Sequence, residues 1–260
     1  MNLDAFLDLL RALVLLVVFI GTLRLILSRQ NPLRLVFFEL AIASIMLSDF
    51  YWLVYDLLRP GVRMPFAANE IAEWAMFLLL GACLATLHPI HFSLAKKELL
   101  GTTIFTIGNV ALWIAWSGEW LQDILTGIVL AYFLYALIIS IKEEAAYGTR
   151  NWCALAISCA VLLSAQAAIF FVPETLQKPL DYACYALLFL ASAMFIAKAI
   201  YALIRERNAS KIVCYAFAAF AWNVITLYMS SDYFYTAAMI LSAICFVLMF
   251  LAARREAVAS

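Results

Sequence analysis

Residues 120–141 read WLQDILTGIVLAYFLYALIISI, and the eighteen positions between Asp123 and Lys142 carry no charge. As an α-helix such a stretch rises about 27 Å, close to the depth of a bilayer's hydrocarbon layer. Working outward in both directions, apolar runs of similar length recur at 6–27, 35–57, 66–87, 100–117, 152–172, 180–204, 212–229 and 233–253. Hydrophobic residues make up 67% of the 260 and charged residues 13%, where soluble domains carry roughly 25% charged. No single water-soluble core of this size could hide so much apolar surface, so lipid is the expected solvent for most of it. The expected fold class is therefore all-α: a polytopic transmembrane helix bundle of about nine spans. The connections are short, and residues 1–260 are expected to form a single integral membrane domain.

The weakest of these runs is 100–117, which Thr102, Thr103, Thr106 and Asn109 dilute. The last hairpin is also tight, with Ser230, Ser231 and Asp232 at its tip. Charge placement tests the count independently, because Lys and Arg concentrate on the cytoplasmic side. With nine spans and the N-terminus outside, thirteen Lys and Arg fall at the cytoplasmic side and only Arg11, Arg59, Arg63 and Lys178 outside. The C-terminus then lies in the cytoplasm. Acids run the other way, eleven in the outer half against six in the inner, so a net charge of zero conceals a strong polarity across the membrane. That balance gives no reason to expect a nucleic-acid partner. The lipid bilayer is the expected partner, and a bacterial cytoplasmic membrane the expected location. The chain opens with Asp4 and Asp8 instead of a basic segment, so no cleavable signal peptide is expected.

Ionisable groups within the hydrocarbon layer cost about 2.5–3.5 kcal/mol each on insertion scales, which makes every one a functional candidate. They are densest in 35–57 and 66–87, which form a hairpin around Gly61. Counting equally from Gly61 sets Asp49 level with Glu73 and Trp52 level with Glu70, with the first pair about 10 Å below the outer interface. Asp49, Trp52 and Asp56 follow i, i+3, i+7 and share a helix face; Phe66, Glu70, Glu73 (or Trp74) and Phe77 do the same. With those faces in contact and no basic residue at their level, carboxylates would confront one another in low dielectric, and not all could ionise. Asp49, Trp52, Asp56, Glu70, Glu73 and Trp74 are accordingly the candidate ligand-binding residues. Acids and aromatic rings together suit a small organic cation.

Simpler readings compete at several positions. Asp8 and Arg11, spaced i, i+3, are expected to neutralise each other, and Asp56 to pair with Arg59 or Arg63. Trp116, Trp120 and Tyr233 fit an interfacial belt. Asn109, Gln166 and Asn223 fit interhelical hydrogen bonding, and small residues such as Ala154 and Ser158 would support contact with a second copy or another membrane protein. The six cysteines lie within apolar runs without metal or redox spacing, and are expected to pack as small hydrophobes. His88 and His91 are the only histidines, with Pro89 between them, too few for a membrane di-iron site. Lys198 lies at the cytoplasmic edge of its span, far from where a retinal Schiff base would need it. Neither a catalytic residue, a metal site nor a cofactor is expected.

Three function classes follow. The first is a multi-pass protein whose outward-facing acidic and aromatic cavity binds or transports a small cationic solute. The second is a membrane sensor or signalling subunit that acts through a separate partner. The third is an intramembrane enzyme using Asp49 and Glu73 as acid and base. Eight glycines and six prolines, with no clear helix break, weigh against an alternating-access carrier. The lack of a nucleophile, metal set or phosphate loop weighs more heavily against an enzyme.

Overall fold

The computed structural model describes residues 3–28, 33–58, 68–87, 96–117, 120–143, 171–206, 208–229 and 233–259. Among them the chain is all-helical: α1 (Leu3–Ser28), α2 (Leu33–Leu58), α3 (Ala68–Leu87), α4 (Lys96–Ser117), α5 (Trp120–Glu143), α6 (Glu174–Tyr201), α7 (Ala209–Met229) and α8 (Tyr233–Ala259). Six helices are long and apolar enough to cross a membrane: α1, α3, α4, α5, α6 and α8. The 26-residue α2 carries Glu39 and Asp49 in its interior, and α7 holds a shorter apolar stretch, Ala209–Ile225. The expected segment 152–172 lies outside the described residues except for its last two, and so do His88, His91, Cys153, Cys159 and Gln166.

Several of the polar groups that dilute α4 bond within the helix itself, although Thr106 Oγ1 and Asn109 Oδ1 have no partner among the described residues. Thr102 and Thr103 donate to the carbonyls of Glu98 and Leu99 four residues back, both at 2.8 Å, and the Asn109 amide donates to Phe105 O at 2.9 Å. Hydroxyls that bond their own helix leave less polar surface to desolvate, so the run can sit in lipid despite its composition. At the α6–α7 junction a π-helical turn (Ala202–Glu206) ends the first helix, and Asn208 caps the next by accepting the Lys211 N–H at 3.1 Å.

Six helices close a ring in which each touches the next: α1, α2, α3, α5, α7, α8 and back to α1. Outside the ring, α4 packs on α5, and α6 packs on α7 and α8. Side-chain contacts fix the directions. Glu98 at the start of α4 pairs with Lys142 at the end of α5, so these two run antiparallel. Trp74–Thr126 and Gln122–Glu70 join the starts of α3 and α5, and Tyr185 packs at a tilt against Phe234 near the starts of α6 and α8. The starts of α1, α3, α5, α6 and α8 thus share one end of the bundle with the finishes of α2, α4 and α7.

The core is the shared wall of α7. Its residues Ile212–Ile225 are buried at every position, so all faces meet protein. Ala216, Ala218, Ala219 and Ala221 let neighbours come close, Ser192 of α6 donates to Ala219 O at 3.0 Å, and Asn223 donates to Ala238 O at 2.6 Å. Around it Phe77, Phe133, Phe217, Phe220 and Phe246 form one aromatic cluster, with successive ring centroids 5.1–6.4 Å apart. This cluster sits midway along the ring and closes it.

Candidate functional site

Above the aromatic cluster, at the end where α1 begins, the ring encloses a cavity of about 240 Å³. All six ring helices contribute to its wall. Asp8 and Arg11 come from α1, Trp52 from α2, Glu70 and Glu73 from α3, Gln122 from α5, Val224 from α7, and Tyr235 from α8. Phe77, Phe220 and Phe246 form its floor. An engineered apolar cavity of about 150 Å³ holds benzene, so this space suits a solute somewhat larger than that.

Asp49 does not face Glu73 across an open gap, because a cation sits at its level. The guanidinium of Arg11 grips Asp49 in a bidentate pair, Nε donating to Oδ2 at 2.8 Å and Nη2 to Oδ1. Asp49 is wholly buried behind it (0% exposed). This corrects two expectations. Carboxylates do not meet there without a balancing charge, and Arg11 serves Asp49 rather than Asp8 alone. The cause is helix phase. The residue that reaches Glu73 is Ser48, donating to Oε1 at 3.0 Å; Asp49, turned about 100° further round α2, points to α1. Depth counting applied to α1 would have exposed the partner, since Arg11 stands about 12 Å along that helix from its start.

Other candidates separate in the same way. Trp52, Glu70 and Glu73 line the cavity. Asn69 organises two of them: with its amide turned to suit its neighbours, it donates to Glu70 Oε2 at 2.9 Å and accepts from Trp52 Nε1 at 3.2 Å. Gln122 reaches Glu70 Oε1 at 3.4 Å. Trp74 is not part of the wall; its indole donates to Thr126 Oγ1 at 2.9 Å and ties α3 to α5. The Asp56 side chain, Arg59 and Arg63 lie outside the described residues. Asn69 and Gln122 were missed because their runs look like ordinary span ends and nothing local marks an inward direction, and Tyr235 stood out only as one of many aromatic residues in the outer layer.

The site's electrostatics follow from this inventory. Its wall holds three carboxylates, Asp8, Glu70 and Glu73, against one guanidinium, which is engaged by a fourth carboxylate behind the wall. Formally the lining carries two negative charges in excess. Aromatic side chains border the same space at Trp52, Tyr235 and the phenylalanine floor.

Elsewhere the described residues offer little chemistry. Cys83, Cys184, Cys214 and Cys245 are free thiols and buried, and no group of His, Cys, Asp or Glu is arranged to hold a metal ion. Lys198 lies near the Phe195 and Tyr215 rings, at 5.6 and 5.8 Å. Trp120 and Tyr233 stand exposed at the cavity end of the bundle. Compared with models of protein families, with curated proteins and with solved structures, the chain matches none of them.

Proposed function

We propose that this chain is a nine-span membrane protein that binds a small organic cation from the outer side, in the cavity bounded by Asp8, Glu70, Glu73 and Trp52. The observation that carries the reading is the composition of that wall, three carboxylates and several aromatic side chains around one solute-sized space. An ammonium group attracts both, most strongly where water is excluded.

Two features support the orientation. Of the twelve described Lys and Arg, ten lie toward the end of the bundle away from the cavity, leaving Arg11 and Lys178 at the cavity end. Positive charge belongs in the cytoplasm, so the cavity faces out. The ninth span is supported by helix direction. α5 finishes at the far end and α6 starts at the cavity end, which supports counting the apolar run 152–172 as a span.

Binding is favoured over a continuous pore because the cavity stops on the packed phenylalanine cluster. Passage of a solute would require that floor to part. A sensing role uses the same pocket without flux, and the closed floor favours it over a channel. Thermal-shift measurements against a panel of organic cations test the site: stabilisation should appear in the native protein and fall in Glu73→Gln and Trp52→Ala. Uptake by proteoliposomes then separates carrier from sensor. If no cation stabilises the native protein, the reading fails.

A further inference from the structure

A second concavity lies on the outside of the ring, between α1 and α8, with a volume of about 300 Å³. Except for Arg11, its lining is apolar, including Leu10, Val14, Ala243 and Ile244. Leu10, Ile240 and Ile244 are each more than a third exposed, so in a membrane the groove opens on lipid tails. Arg11 and Met239 border both this groove and the acidic cavity. The partition between the two is therefore a single layer of side chains.

That layer is held unequally. Arg11 is anchored on its inner side by two charge-assisted hydrogen bonds to Asp49, whereas across the seam its Nη1 meets the thioether sulfur of Met239. Thioether sulfur is a weak acceptor, so this contact is the easy one to part. Lower down, Gly21 brings α1 close to the Phe250 ring of α8, so the two helices pack tightly below the groove.

Building on the proposed cation site, we infer that the ligand is a single-chain cationic amphiphile, its ammonium group in the acidic cavity and its alkyl chain in the α1–α8 groove. The shared border of the two spaces, one acidic and one apolar, matches the two halves of such a molecule. The groove has room for roughly ten methylenes, taking each as about the size of a water molecule. A cavity of about 240 Å³ could not hold head and tail together.

The test uses the full chain in lipid nanodiscs and displacement of radiolabelled butyltrimethylammonium by its hexyl, octyl and decyl homologues. Free concentrations are corrected with empty nanodiscs. Affinity should rise about fourfold for each methylene added. Ala243→Phe, and separately Val14→Phe on the opposite wall, should flatten the series while leaving the butyl compound's binding in place. A flat series in the native protein, with butyl binding still sensitive to Glu73→Gln, overturns the groove assignment and leaves the cation site standing. A rise that survives both groove-filling variants overturns it as well. So does a decyl affinity that Glu73→Gln does not change, which would mark the groove as a seat for ordinary lipid chains. Absence of binding by every homologue would remove the cation site and the groove assignment together.

Discussion

Arg11 on α1 and Asp49 on α2 are joined by a two-pronged ion pair at the back wall of the cavity, with Asp49 shut off from solvent entirely. The pair brings together residues 38 positions apart and ties α1 to α2 at the cavity end of the ring. Removing one partner strands the other as a buried charge, which costs about 3–5 kcal/mol. Arg11→Leu and Asp49→Leu should each lower the unfolding midpoint sharply, and the double variant should lose much less than their sum. Denaturant titration of the four proteins in detergent checks this. Additive losses would mean that the two side chains do not act as a pair.

Glycine positions make an independent prediction about packing. A Cβ at Gly127 would collide with the Val110 side chain, where α5 crosses α4, whereas one at Gly101 would meet nothing within 4 Å. Gly127→Val should cost about 1–3 kcal/mol through overpacking. Gly101→Ala should be neutral or stabilising by up to about 1 kcal/mol, because alanine loses less freedom in a helix. Thermal unfolding of both variants, measured side by side, distinguishes them.

Glu39 is the counterpart of Asp49 at the other end of α2. It is buried, and neither carboxylate oxygen has a hydrogen-bond partner among the described residues. A polar group in that condition costs about 1–3 kcal/mol. Glu39→Met should therefore raise the unfolding midpoint, with the helical circular-dichroism signal unchanged. A lower midpoint would mean that the carboxyl group stabilises the fold.

Topology is tested without purification. Alkaline phosphatase fused after Gly61 should be active, and fused after Ala95 or Tyr147 inactive. A fluorescent-protein fusion at the C-terminus should glow. The reverse pattern would invert the proposed orientation, and a dark C-terminus alone would remove one span.

The described helices were legible in the sequence because spanning length and an apolar run suffice to place them; Lys96–Ser117 was the hardest, and back-bonding satisfies its Thr102 and Thr103 hydroxyls. Which helix would be central was not legible. A helix buried in protein and one facing lipid are both apolar all round, so nothing in Ile212–Ile225 distinguishes a ring helix covered on every side from one that borders lipid. Depth was legible too: Asp49 and Glu73 do lie at similar levels, as the neighbouring Ser48–Glu73 bond shows. Direction was not. One residue turns a side chain by about 100°, enough to send Asp49 to Arg11 and Ser48 to Glu73. Trp74 illustrates the same point, being one position beyond Glu73 yet bonded to α5.

Isothermal titration of butyltrimethylammonium into the native protein and into Glu73→Gln, both in nanodiscs, addresses the binding site most directly. Saturable one-site binding is expected, weakening by at least about tenfold in the variant, because removing a carboxylate about 5 Å from a quaternary ammonium forfeits roughly 3 kcal/mol at an effective dielectric near 20. Equal affinity for the two proteins, or no saturable heat in the native one, would contradict it.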